Sequence, residues 1–94
     1  MSFNPQVVAD QIFELTSIAG IKTTAICMTR FRLNLRDYNK IDLAALKSLD
    51  GVADAVIVDE QLQIVMGLGK VVKVYECFKP YLENDAVILA EIKR

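Results

Sequence analysis

Cys27 begins the run Cys27-Met28-Thr29-Arg30-Phe31-Arg32, which holds the side chains best suited to covalent chemistry in this 94-residue chain. The sequence has no histidine, which removes Ser-His and Cys-His nucleophile pairs and every His-ligated metal site. Cys27 and Cys77 are the only cysteines, too far apart in sequence for a metal cluster and too few for a disulfide framework. Chemistry is left to Cys, Asp, Glu, Arg, Lys and the backbone, with no cofactor and no metal ion expected.

Residues 30 to 36 alternate strictly, Phe31, Leu33 and Leu35 against Arg30, Arg32, Asn34 and Arg36. On such a strand Arg30 and Arg32 share one face, about 7 Å apart. Two guanidinium groups can therefore converge on one small volume close to the thiol. Positive charge there favours the thiolate, the nucleophilic form of cysteine. Turn N–H groups at Met28, Thr29 and Arg30 could add a backbone nest for an oxyanion, and the Thr29 hydroxyl could donate as well. These parts suit a phosphoryl group carried on sulfur. The same residues have a plainer reading, because a cysteine in an apolar strand is commonly a small core residue and strand arginines are commonly solvated. Spacing alone leaves both readings open.

The elements that must position these residues follow from the pattern. Asn4-Pro5 supplies an N-cap and a first-turn proline for a helix with the stripe Val8, Ile12, Leu15 and Ile18, ended by Gly20. Residues 21 to 28 are rich in β-branched side chains and form a hairpin with the alternating run, placing Cys27 at its tip. A second helix fits Asp42 to Leu49, with Asp42 as N-cap and Leu43, Leu46 and Leu49 facing inward, before Asp50-Gly51 stops it. Val52 to Val58, the turn Asp59-Glu60-Gln61 and Leu62 to Met66 make a second hairpin. Gly67 and Gly69 release the chain into a third helix, about Val71 to Leu82, with Val71, Val74, Tyr75, Phe78 and Leu82 at core spacing. Pro80 should kink its last turn or end it early. The implied fold is α+β, order α-β-β-α-β-β-α, a four-stranded antiparallel sheet of two hairpins with helices packed on one face. Residues 1–83 form the domain and 84–94 a C-terminal extension or interdomain linker, although Ala86 to Ile92 is apolar enough to dock as a short extra element.

Bulk properties narrow the functions available. Eleven basic and twelve acidic residues give a net charge of −1, which supplies no electrostatic footprint for nucleic acid or an anionic membrane. Apolar runs such as Ala55 to Val58 are far shorter than the roughly 20 residues of a membrane span. No secretory leader is recognisable at the N-terminus, and a cytosolic setting with free thiols is expected.

The run Cys27-Met28-Thr29-Arg30-Phe31-Arg32-Leu33, the stretch Lys40 to Lys47, the pair Gly51-Val52 and the segment Gln63 to Val71 resemble the glucose/sucrose-type enzyme IIB domain of the bacterial sugar phosphotransferase system (PTS). The resemblance spans nearly the whole chain, from the first helix to about Leu82, and C-x-T-R-x-R is its most specific part. It implies that Cys27 accepts a phosphoryl group from a phosphohistidine of an EIIA domain and passes it to the sugar held by a membrane-embedded EIIC domain. It also implies that Arg30 and Arg32 serve the onward transfer, that Thr29 matches the family's threonine, and that sugar choice resides largely in the C domain. Phe31 departs from the more frequent Leu, on the core face. A phosphotransferase active only with its EIIA and EIIC partners, at the cytoplasmic face of a transporter, is the expected identity.

Other marks carry less. Gly67-Leu68-Gly69-Lys70 lacks the four-residue gap and the Lys-Ser/Thr of a phosphate loop and is expected to be a turn. Cys77 falls between core positions of the third helix and is expected to be structural. A cysteine phosphatase would need an arginine six positions after its nucleophile, where this chain has Leu33. A non-catalytic ligand-binding module, with Cys27 inert, is the alternative of a different class.

Overall fold

The computed structural model describes residues 3–92, with side chains described through Leu82. The first helix, α1 (Pro5–Ser17), is capped by Asn4, whose side-chain oxygen accepts from the N–H groups of Gln6 and Val7. Pro5 takes a first-turn position, where its missing N–H leaves no bond unmade. Val8, Ala9, Ile12 and Thr16 face the core, and the buried Thr16 hydroxyl donates to the Ile12 carbonyl at 2.7 Å. The expected stripe does not reach Ile18, which is 62% exposed. The helix ends at Ser17, so Ile18 becomes the cap and Ala19 turns inward in its place.

Four strands form one antiparallel sheet: β1 (Ile21–Ile26), β2 (Arg30–Leu35), β3 (Val52–Val58) and β4 (Gln61–Met66). Their order is β1-β2-β4-β3, so the second strand of each hairpin lies at the centre. On these two strands every alternate residue is buried: Phe31, Leu33 and Leu35, then Leu62, Ile64 and Met66. They pack against the inner faces of the helices. The intervening residues Arg30, Arg32, Asn34, Gln61, Gln63 and Val65 occupy the opposite face, where none is fully buried. This is the helix-backed sheet implied by the sequence pattern.

Several local details differ from expectation. The β3–β4 turn has two residues, because Gln61 pairs with Val58 and joins β4. Asp59 and Glu60 both take left-handed backbone angles, with φ of 50° and 59°, as a tight hairpin turn demands. The turn is braced by Tyr38, whose hydroxyl accepts from the Leu35 N–H at 3.1 Å and donates to the Glu60 carbonyl. Tyr38 belongs to a short 3-10 turn, Tyr38–Lys40, capped by Asp37 and not foreseen from periodicity. The second helix, α2 (Leu43–Lys47), is shorter than expected, although Asp42 caps it through the Ala45 N–H at 3.0 Å. Leu46 is still buried, and Leu43 and Leu49 pack partly against the core. Gly51, at φ +82°, lies under Phe3, whose ring would stand 2.4 Å from an added Cβ.

The third helix, α3 (Lys70–Ile92), passes through Pro80 instead of ending near it. Proline removes the N–H that would bond the Glu76 carbonyl, and both residues lie on the exposed side, where water can satisfy that carbonyl. Residues 84–92, expected as an extension or linker, continue this helix, and 93–94 lie outside the described residues. Among the described residues no helix is long and apolar enough to cross a membrane.

Val71, Val74 and Phe78 of α3 are buried. Phe78 meets Phe31 edge-on, with ring centroids 4.9 Å apart, and Phe31 also meets Tyr75 edge-on at 5.7 Å. On the other side Phe78 contacts Phe13 at 5.9 Å, and Phe13 stacks on Tyr81 at 4.2 Å. One aromatic cluster thus joins α1, α3 and the strand that carries the arginines.

Truncating the middle of this cluster, Phe78→Ala, is expected to lower stability by about 3–5 kcal/mol in urea unfolding. A loss below 1 kcal/mol would show that the cluster is not the structural centre. Glu60→Gly is expected to add about 1 kcal/mol, because glycine takes the left-handed conformation without the steric penalty. An unchanged unfolding midpoint would mean that the turn is not strained.

Candidate functional site

The β1–β2 hairpin puts Cys27 at its tip. The Cys27 N–H donates to the Arg30 carbonyl at 2.9 Å, which leaves Met28 and Thr29 as the two residues that reverse the chain. All four residues are exposed, and among the described residues the Met28 and Thr29 N–H groups donate to no other backbone group. The tip is anchored from beside it, since the Met66 N–H donates to the Thr29 carbonyl at 2.7 Å. The Gly67-Leu68-Gly69 turn leaves from this anchor into α3, with Gly69 at φ +83°. It is a turn into a helix, as expected. Lys70 reaches back over the Phe3 ring, with its Nζ 5.2 Å from the ring centroid.

The register brings Cys27, Arg30 and Arg32 to one face. Ile26 pairs with the buried Phe31, so the next pair outward, Cys27 with Arg30, points the other way, and Arg32 pairs with Ala25 on that same side. Phe31 is fully buried between the two arginines and holds both of them outward. Their environments differ. Arg30 is exposed and donates from Nη1 to Gln63 Oε1 at 2.6 Å. Arg32 is half-buried, and its Nε is buried without a hydrogen-bond partner among the described residues. Arg30 therefore faces solvent, and Arg32 does so only in part. Among the described residues neither arginine is paired with a carboxylate; the ion pair found joins Lys47 and Asp54 at 3.8 Å.

Thr29 lies in the same tip, exposed. Cys77 is a half-buried thiol packed against the core from α3, which matches a structural role. Among the described residues no three His, Cys, Asp or Glu side chains gather where they could hold a metal ion. Two exposed apolar side chains adjoin the site elements, Met28 in the tip at 73% exposure and Leu68 in the turn before α3 at 71%. The glutamines Gln61 and Gln63 were not singled out from sequence. Their alternation with Leu62 and Ile64 shows that they share a face, but only the pairing of β4 with β2 reveals that this face also carries the arginines.

An exposed thiol at a hairpin tip thus shares one face with two arginines that have no acidic partner among the described residues, on a helix-backed antiparallel sheet. No family model matches the chain. It is 41% identical over 67 residues to the N-acetylmuramic acid-specific EIIBC component of the PTS from Pasteurella multocida, covering 71% of this chain and 14% of that protein. It is 33% identical over 82 residues to the Photorhabdus laumondii component of the same name, covering 87% and 17%, and 45% identical over 59 residues to the sucrose-specific EIIBC component of Bacillus subtilis, covering 63% and 13%. Among solved structures, one domain of the PTS IIabc component from Clostridium difficile superposes with a TM-score of 0.77 at 25% identity, covering 81% of this chain and 80% of that one. The chain belongs to the enzyme IIB domains of the sugar phosphotransferase system. It spans about a seventh of the length of the EIIBC relatives.

Exposure makes a direct forecast for the two thiols. Iodoacetamide is expected to alkylate Cys27 in the folded protein well before Cys77, as followed by peptide mass analysis. Equal rates would contradict the exposed tip.

Proposed function

We propose that this domain is the phosphoryl carrier of a sugar PTS, with Cys27 accepting a phosphoryl group from a phosphohistidine of an EIIA domain and passing it to a sugar bound by an EIIC membrane domain. The observation that carries the reading is the exposed Cys27 thiol sharing one face with two arginines that have no acidic partner among the described residues. Family membership supports it, and the names of the relatives join EIIB to EIIC, and to EIIA as well in the sucrose-specific EIIBCA component of Pediococcus pentosaceus. The sugars named for those relatives include N-acetylmuramic acid and sucrose, and here the choice of sugar is assigned to the C domain. The domain works at the cytoplasmic face of its transporter. Residues 1–83 are the carrier domain, and 84–94 are its C-terminal extension or an interdomain linker.

In the first transfer the Cys27 thiolate attacks phosphorus in line, an S–P bond forms, the N–P bond breaks and the electron pair returns to the imidazole. In the second, a sugar hydroxyl attacks phosphorus, the O–P bond forms, the S–P bond breaks, the electron pair leaves with the thiolate and the hydroxyl proton passes to water. Transfers of this kind depend on positioning and on stabilising charge spread over the equatorial oxygens. Arg30 and Arg32 supply planar donor forks for those oxygens, while Thr29 and the free N–H groups of the tip supply further donors. Met28 and Leu68 give the site an apolar border against which a partner domain can exclude water.

Incubation with a phosphorylated EIIA domain is expected to add the mass of one phosphoryl group, and Cys27→Ser to abolish the addition. No adduct on the native chain, or one that survives the substitution, would overturn the carrier reading. Arg30→Lys and Arg32→Lys are each expected to fold but to slow phosphoryl transfer to sugar about tenfold to a hundredfold, the loss of one charge-assisted hydrogen bond of roughly 1.5–3 kcal/mol. Unchanged transfer in vesicles containing EIIC would remove that arginine from the site.

A further inference from the structure

The Arg30 guanidinium ends a row of side-chain hydrogen bonds laid across the uncovered face of the sheet. Arg30 Nη1 donates to Gln63 Oε1 at 2.6 Å, Gln63 Nε2 donates to Gln61 Oε1 at 3.1 Å, and Gln61 Nε2 donates to Asn34 Oδ1 at 3.0 Å. Each amide presents its oxygen to the donor before it and its nitrogen to the acceptor after it. With its nitrogen engaged by Gln61, Gln63 is oriented to offer Arg30 an oxygen.

The register shows which way this bond draws the arginine. Arg30 stands opposite Val65, whereas Gln63 stands opposite Arg32, two residues deeper into the sheet from the hairpin tip. Gln63 also lies on β4, across β2 from the strand that leads to Cys27. The guanidinium is therefore drawn inward and across, away from the thiol.

On the carrier reading above, we propose that Gln63 is a positioning residue that holds Arg30 over β4 while Cys27 is a free thiol and releases it when a phosphoryl group is on the sulfur. An amide oxygen is a neutral acceptor. Phosphoryl oxygens are anionic and can take the planar guanidinium fork in two parallel bonds, so the exchange runs toward the phosphoryl group. Gln63 is only half-buried, so water can satisfy the oxygen that Arg30 leaves. The exchange offsets part of the stabilisation that Arg30 gives to phosphocysteine. Gln63 in this way keeps the phosphoryl group transferable to the next acceptor.

The test is the phosphoryl equilibrium between a phosphohistidine EIIA domain and the full chain, read by intact mass. Gln63→Leu removes the competing acceptor and is expected to move the equilibrium toward phosphocysteine by about two- to tenfold, the worth of one net hydrogen bond. The shift should vanish when Arg30→Ala is also present, a dependence that a purely structural role for Gln63 would not produce. An independent readout on the native chain is the Gln63 side-chain amide resonance, which should move when Cys27 is phosphorylated and stay in place when Arg30→Ala is phosphorylated. Phosphocysteine that forms with an equilibrium indifferent to Gln63, a shift that persists without Arg30, or a stationary Gln63 amide overturns this proposal and leaves the carrier reading intact. Failure of any phosphocysteine to form overturns both.

Discussion

The pairing of β2 with β4 is the constraint on which the rest of the structure depends. It sets Arg30 against Val65, Phe31 against Ile64 and Arg32 against Gln63, joining the two hairpins into one sheet. Its register is held by burial. Because strand side chains alternate, a slip of one residue would turn Phe31 and Leu33 to the surface and drive both arginines into the apolar layer beneath the helices. Burying an unpaired guanidinium costs several kcal/mol, and the aromatic contacts of Phe31 with Tyr75 and Phe78 would be lost as well. The core therefore decides where the cations point.

Seen from the chemistry, this arrangement separates rigidity from access. The thiol sits on a two-residue reversal in open solvent, where a partner domain can reach it, yet the reversal is tied to the end of β4 through Thr29 and Met66. The two arginines stand on a central strand that is hydrogen-bonded on both sides. Arg30 has an amide partner and Arg32 a buried donor without one, so the two cations enter the proposed reaction from different resting states. A carrier must hold its cargo well enough to survive transit and loosely enough to hand it on. Unequal resting partners for the two guanidinium groups are one physical way of meeting both demands.

The gaps between sequence pattern and structure have specific causes. Ile18 matches helical spacing but falls where the helix has already ended, so periodicity no longer aims its side chain. Pro80 carries a strong local penalty, yet the carbonyl it strands faces water and the helix continues. Tyr38 belongs to no periodic pattern, and its bonds to Leu35 and Glu60 join segments far apart in the sequence. Polarity groups Gln61 with its neighbours Asp59 and Glu60, but the tight left-handed turn needs only two residues and gives the third to β4.

By itself, the sequence determined the elements and their inner faces, because alternation and helical spacing are local consequences of which side chains avoid water. It also determined that Cys27 stands at a hairpin tip with Arg30 and Arg32 on one side of the following strand, since strand geometry needs no knowledge of the neighbours. Which strand of one hairpin adjoins the other hairpin was decided only in the tertiary structure. Two hairpins can be laid side by side in more than one order, and the choice of β1-β2-β4-β3 depends on how both apolar faces fill the space under α1 and α3. That choice carried Gln63 to Arg30, a contact between residues distant in the chain whose physical basis is packing on the opposite face of the sheet.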